Sequence, residues 1–221
     1  MREEYLKEKQ QEDLQNTGER ALVIAAGRRL IHEGYTTHTW GNISVRGGDG
    51  RIYITPSGMD YDLIGIEDIV VLDVCGNILE GIRKPSIEKD LHTEIYRRRP
   101  DVGAIVHTHP MESLAFACMG KDIPLITDAA VMTMRDTVRT APYALPGSKE
   151  LAANCADTLG PTGMAVLLAG HGAVCVGSDL EQAFKTAKIL EITAELCAKI
   201  LAMGGHPEAL PEKVRKDLLN M

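Results

Sequence analysis

IYRRRPDVGAIVHTHP, residues 95–110, is the stretch that decides how this chain folds. Its first residues close a helix over 87–98, in which Ile87, Leu91 and Ile95 recur every four positions. Residues 103–107 read as a strand, and Pro110 opens a short helix. At the strand's end His107 and His109 stand two residues apart, so their side chains point to the same face. Two imidazoles side by side can hold one metal ion. Zinc takes nitrogen ligands in a tetrahedral set, and catalytic sites keep one position open. Two surface histidines give the same pattern, so the pair alone leaves both readings open.

On the N-terminal side, apolar residues at 14, 21, 22, 24, 25, 30 and 31 predict a helix over 12–33, closed by Gly34. Ile43 and Val45 alternate with polar residues within 39–46, a strand pattern. Gly47-Gly48-Asp49-Gly50 turns the chain into a returning strand over 51–55, which Pro56-Ser57-Gly58 ends. Residues 68–74 read as a buried strand followed by a turn at 75–77. Towards the C-terminus, helices are expected over 148–159 and 179–203, with a strand pair, 164–168 and 173–176, between them. The alternation predicts one α/β domain over 1–221 with a layered sheet, a charged extension at 1–11 and a tail at 205–221.

That strand pair encloses Gly170-His171-Gly172. The flanking glycines let the backbone take an unusual conformation and let another group approach, which makes His171 a third ligand candidate beside a plain turn histidine. Glu88 is the fourth candidate; a carboxylate in a first helical turn also serves as a dipole-matched or capping group. His92, one turn later, forms an ExxxH pair with it and reads as structural. His32, His38 and His206 stand in polar or terminal contexts and are not read as ligands. Three stretches offer small residues, hydroxyls and amides suited to a phosphate: Thr39-Trp40-Gly41-Asn42, Thr55-Pro56-Ser57-Gly58 and Lys84-Pro85-Ser86, the last just before a helix N-terminus. Each also reads as a turn.

Composition narrows the function classes. The net charge of −7 argues against a broad nucleic-acid surface while permitting one phosphorylated substrate. No run of eighteen apolar residues predicts a membrane span, and the charged N-terminus is unlike a signal peptide, so a cytoplasmic protein is expected. Five scattered cysteines without a CxxC pair read as buried small hydrophobes.

Taken together, TWGNISVR (39–46), ITPSGMDYDLI (54–64), EDIVVLDVCG (67–76), KPSIEKDLH (84–92), residues 95–110, APYALPGS (141–148) and GHGAVCVG (170–177) resemble the class II aldolase/adducin head family, and within it the fuculose-1-phosphate aldolase-like enzymes. The segments fall in family order and cover most of the chain. The resemblance implies a mostly antiparallel central sheet flanked by helices, and a homotetramer with active sites between subunits. It implies Zn2+ (with Mn2+ or Co2+ as substitutes) on His107, His109 and His171, and Glu88 as catalytic acid/base within reach of the metal. Gly41, Asn42, Ser57, Gly58 and Ser86 match phosphate-binding positions, with Thr39 nearby.

The implied reaction is cleavage of a ketose 1-phosphate to dihydroxyacetone phosphate and an aldehyde. The metal acts as a Lewis acid for the enediolate, and Glu88 shuttles the proton. Two rivals share the scaffold, a sugar-phosphate 4-epimerase and a 3-keto-acid phosphate decarboxylase. The epimerases usually carry an aspartate where Glu88 stands, which favours the aldolase. A non-catalytic interaction domain need not keep the ligands at all. The chain also departs from the pattern: Ile87 replaces a hydroxyl residue before Glu88, Asp128 stands where the fuculose-phosphate enzymes use a tyrosine, and a tyrosine-bearing tail is expected to be missing beyond residue 211. With Val131, Met132 and Met134 nearby, these departures suggest a less polar aldehyde end, as in 5-deoxyribulose or 5-methylthioribulose 1-phosphate.

Overall fold

The hairpin expected around Gly47–Gly50 forms in the computed structural model, which describes residues 18–221. Strand β1 (Asn42–Arg46) pairs antiparallel with β2 (Ile52–Ile54), Ser44 facing Ile54 and Arg46 facing Ile52. The remaining strands are β3 (Val70–Leu72), β4 (Ile78–Glu80), β5 (Ala104–Thr108), β6 (Thr140–Ala141), β7 (Ala165–Leu168) and β8 (Gly172–Gly177). They make one sheet in the order β4-β3-β2-β1-β5-β8-β7-β6, in which only the β6–β7 pair is parallel. Helices α1 (Glu19–His32), α2 (Lys89–Arg98), α3 (Met111–Met119), α4 (Asp128–Met134), α5 (Lys149–Leu159), α6 (Leu180–Ala202) and α7 (Glu212–Leu219) flank it. The charged 1–11 extension and the first turns of the helix expected from residue 12 lie outside the described residues.

Alternation along the central strands splits the core in two. Ala104 and Val106 of β5 join Ile24, Leu30, Phe116, Val131 and Phe184 on the face covered by α1, α3, α4 and α6. Ile105 points the other way, against Leu91, Ile95, Leu151 and Cys155 of α2 and α5. Burying each such Leu or Ile contributes about 1.5–3 kcal/mol, so a one-residue slip of β5 would cost both cores at once. The register therefore places His107 on the α2 side, as the next residue in phase with Ile105.

Local signals account for the element ends. Gly34 closes α1 at φ +75°, with its N–H on Ile31 O and that of Tyr35 on Leu30 O, a two-bond helix stop. Ser148 and Asp179 cap α5 and α6 through their side chains. Besides the short 3-10 helices Tyr61–Leu63 and Ile66–Asp68, four elements were not anticipated: β4, exposed along its length; the two-residue β6; α4, nucleated by Thr127 Oγ1 accepting from Ala130 N; and α7. The expected tail at 205–221 is thus partly helical: Leu210 N bonds Leu125 O, and Leu210 and Leu218 pack against the core. The cysteine reading needs a similar correction. Cys155, Cys175 and Cys197 are buried, but Cys75 sits exposed in the turn that the Asp73 side chain organises, and Cys118 is exposed on α3. Among the described residues, no helix is long and apolar enough to cross a membrane.

Candidate metal centre and active site

Three elements deliver the histidines. β5 lies between β1 and β8, with His107 opposite Asn42 on one side and Val174 on the other. His109 follows the strand, its N–H held by Tyr35 O at 2.7 Å. His171 occupies the turn between β7 and β8, where Gly170 takes φ +63°. Gly172 is required by packing: a side-chain carbon there would meet His109 Cδ2 and Thr108 O, each at 2.5 Å. Glycine so lets the His109 ring lie directly against β8.

The three Nε2 atoms converge. His107 Nε2 is 2.8 Å from His109 Nε2 and 3.4 Å from His171 Nε2, and the ligand atoms of all three rings lie within 4.8 Å of one another. Zn–N bonds of about 2.0–2.1 Å in a tetrahedron separate two nitrogens by about 3.3 Å, so the spacing fits one ion. His107 Nδ1–H donates to Ala173 O at 2.9 Å, which leaves the Nε2 lone pair pointing at the other rings. Burial, then repulsion from His107, lowers the pKa of His109 to about 3 and of His171 to about 4. Neutral imidazole is the metal-binding form. Lone pairs this close, in a buried site, favour a cation between them.

Glu88 completes the group. It stands at the N-cap of α2 but makes no capping bond, so the capping alternative does not hold. Instead its buried carboxylate turns inward, with Oε2 3.2 Å from His107 Nε2 and Oε1 3.5 Å from His171 Nε2. Among the described residues Oε1 has no hydrogen-bond partner, and Oε2 accepts from Asn42 Nδ2 at 2.9 Å. Burial pushes its pKa up, yet His107, His171 and the Asn42 hydrogen bond outweigh that and hold it below the usual carboxylate range.

The three small-residue segments also meet. Thr55 N bonds Ile43 O, Ser86 N bonds Thr55 O, and Ser57 N bonds Lys84 O, so the 39–42, 55–58 and 84–86 stretches lie side by side. Gly41, at φ +78°, passes so near β5 that a side-chain carbon would sit 2.6 Å from His107 O, and Tyr61 OH holds Gly41 O. Ser86 Oγ accepts from Glu88 N, while Ser57 and Gly58 are exposed and Thr39 is half-buried. Asn42 gives its side chain to Glu88 and His92.

Other expectations fall elsewhere. Asp128 is exposed in the first turn of α4, and no hydrogen bond or ion pair joins it to the histidines among the described residues. Val131 and Met134 are fully buried in the core and cannot line an aldehyde pocket, whereas Met132 is exposed. His32, His38 and His206 are exposed and outside the cluster. Three residues to which the sequence assigned no role of their own lie beside the centre. Trp40 is largely exposed, with its ring 6.1 Å from that of His109; Ser44 and Tyr96 extend the polar contacts of His92. Ser44 sits between two core strand residues and Tyr96 one turn after His92, a spacing that marks a shared face.

Comparison with known proteins points to one family. The family described as Class II Aldolase and Adducin N-terminal domain matches residues 21–198. The 5-deoxy-D-ribulose 1-phosphate aldolase of Bacillus thuringiensis is 35% identical over 201 residues, covering 90% of this chain and 93% of that protein. The 3-oxo-tetronate 4-phosphate decarboxylase of Haemophilus influenzae is 36% identical over 207 residues, covering 91% and 96%. A solved L-fuculose 1-phosphate aldolase superimposes with a TM-score of 0.87 at 33% identity, covering 93% of this chain and 96% of that one.

Proposed function

The chain belongs to the class II aldolase and adducin N-terminal domain family, and we propose that within it the protein is a zinc-dependent aldolase, cleaving a ketose 1-phosphate reversibly to dihydroxyacetone phosphate and an aldehyde. One observation carries this reading: three imidazoles aim their Nε2 atoms at one another beside a buried carboxylate with an oxygen unpartnered among the described residues. A non-catalytic domain has no use for such a group, since an unpaired buried carboxylate oxygen costs stability.

His107, His109 and His171 would hold a divalent ion, which would supply Lewis-acid chemistry to the substrate's carbonyl. Zinc suits the nitrogen set, and manganese or cobalt can replace it. Glu88, held ionised, takes and returns the proton at the carbon next to the carbonyl. Its Oε2 is fixed by Asn42, which leaves Oε1 for the proton. Gly41, Asn42 and Gly58 hold the phosphate through backbone N–H groups, and Ser57, Ser86 and Thr39 through their hydroxyls; the Ser57 and Ser86 N–H groups are spent on Lys84 O and Thr55 O, and those bonds keep the segments together before substrate arrives.

The aldehyde is the end of the substrate farthest from these groups. An apolar terminus, as in a 5-deoxyribulose, 5-methylthioribulose or fuculose 1-phosphate, is supported by the names of the relatives. Trp40, Ile87 and Tyr143 are exposed around the centre, which supports a subunit interface there; in this reading the protein is a cytoplasmic homotetramer with active sites between subunits. Asp128 acts in this reading from a neighbouring subunit.

A second reading, decarboxylation of a phosphorylated 3-keto acid, is favoured by the Haemophilus relative. It would use the same ion and the same proton carrier. Incubating the metal-loaded enzyme with dihydroxyacetone phosphate and a panel of aldehydes separates the two. Ketose 1-phosphates identified by mass and stereochemistry support the aldolase. No condensation, together with CO2 release from a 3-keto acid phosphate, supports the decarboxylase.

A further inference from the structure

A buried polar chain runs behind Glu88. Asn42 Nδ2 donates to Glu88 Oε2 at 2.9 Å, which turns Asn42 Oδ1 onto His92 Nε2. An amide oxygen only accepts, so His92 Nε2 carries the hydrogen and Nδ1 is left with its lone pair. Ser44 Oγ lies 2.6 Å from Nδ1 and must donate to it; the serine oxygen then accepts from Tyr96 OH at 2.9 Å. Each hydrogen in the series has one assignment, and every donor points towards Glu88. Asn42, Ser44, Glu88, His92 and Tyr96 are at most 5% exposed, so water does not compete for these bonds. In a low-dielectric interior such a series strengthens its last bond, and each member is costly to leave unpaired.

We propose that His92 is a positioning residue for the reaction, which acts through Asn42 to hold the Glu88 carboxylate in its working orientation, with Ser44 and Tyr96 fixing the tautomer of its ring. This rests on the reading of Glu88 as the proton carrier. Without the Nε2–H of His92, Asn42 Oδ1 loses its donor and the amide is free to rotate away from the carboxylate. Glu88 then loses its donor and its fixed direction. The phosphate segments and the three metal-binding rings keep their own contacts, so the change is expected in turnover and not in substrate or metal binding.

Two measurements test this. The first needs no activity: nitrogen-15 spectra of the histidine-labelled wild-type protein, loaded with zinc, report the tautomer of His92. A ring protonated at Nε2 and bare at Nδ1 is expected, with Ser44→Ala admitting the other tautomer. A wild-type ring protonated at Nδ1 overturns the proposal. The second compares His92→Phe with His92→Gln, whose amide N–H can replace Nε2–H. His92→Phe is expected to lower kcat about tenfold or more, with KM within about twofold and zinc content unchanged; His92→Gln is expected to recover most of that loss. Unchanged kcat in His92→Phe, a loss confined to KM, or a loss that follows zinc content overturns it. If His92→Phe does not fold, His92→Gln and Ser44→Ala carry the kinetic comparison. If wild-type enzyme neither forms nor cleaves any ketose phosphate, the aldolase reading fails, and the tautomer still decides the network.

Discussion

Glu88 Oε2 lies 3.2 Å from His107 Nε2, while the opposite nitrogen of the same ring donates to Ala173 O in the neighbouring strand. One ring thereby joins the sheet backbone, the carboxylate and the two other histidines. Its lone pair is fixed by the fold, before any ion or substrate arrives. Removing it should be felt by the metal first. His107→Ala and His171→Ala are each expected to bind at least about tenfold less zinc than wild type after equilibrium dialysis, measured by elemental analysis. Full occupancy in both variants would remove the histidines from the ligand set.

Gly172 sets how closely His109 can approach β8. Alanine there would place a carbon 2.5 Å from His109 Cδ2 and 2.5 Å from Thr108 O, so both the ring and the backbone must shift. Overpacking of this kind costs about 1–3 kcal/mol. Gly172→Ala is therefore expected to lower the urea midpoint and to weaken zinc binding together. A variant with wild-type midpoint and wild-type affinity would show that the close contact does not matter.

Metal-free protein should lose stability in mild acid. His92 is wholly buried; burial, with added repulsion from His107, lowers its pKa to about 3. An unfolded histidine titrates near about 6.5, so this contribution is complete above that pH and is lost as pH falls from about 6.5 towards about 3. For one such group the slope approaches about 1.4 kcal/mol per pH unit. His109 and His171, lowered in the same direction, add to it. Urea midpoints of the metal-free protein should fall between pH 7.5 and 5.5; equal midpoints would mean that these rings are not buried neutral.

Asp128 is exposed and joined to none of the histidines within its own subunit. A role for it on the aldehyde side would run through the substrate, from its own or a neighbouring subunit, and not through these rings. Asp128→Asn is expected to lower kcat/KM for the ketose phosphate about tenfold while leaving zinc content and urea midpoint unchanged. Kinetics indistinguishable from wild type would return Asp128 to the surface of α4.

Much of this arrangement was legible in the sequence because it depends on period and spacing. The i, i+2 phase of His107 and His109, the glycines around His171 and the hairpin turn at Gly47–Gly50 all appear in the structure where the pattern puts them. What could not be read depends on contacts across the fold. Val131 and Met134 look like pocket residues beside Asp128, but α4 turns them into the core against α6. Glu88 looks like a helix cap, yet its side chain is drawn inward by Asn42, forty-six residues away. His92 reads as structural in the sequence; its link to Glu88 runs through the strand β1 and not along α2, which no local spacing reveals. The short elements β4, β6 and α4 carry too few residues for a period to show.

The central claim is that an ion on the three histidines and a proton carried by Glu88 act on the carbon next to a phosphorylated ketone's carbonyl. The half-reaction tests it without knowledge of the aldehyde: dihydroxyacetone phosphate is incubated in deuterated water with the zinc-loaded enzyme, and deuterium incorporation is followed by proton NMR. Wild-type protein is expected to exchange one hydrogen stereospecifically, chelator-treated protein none until zinc is restored, and Glu88→Gln at least about a hundredfold more slowly with zinc still bound. Exchange by Glu88→Gln at the wild-type rate, or no exchange by the zinc-loaded wild type, would contradict the account.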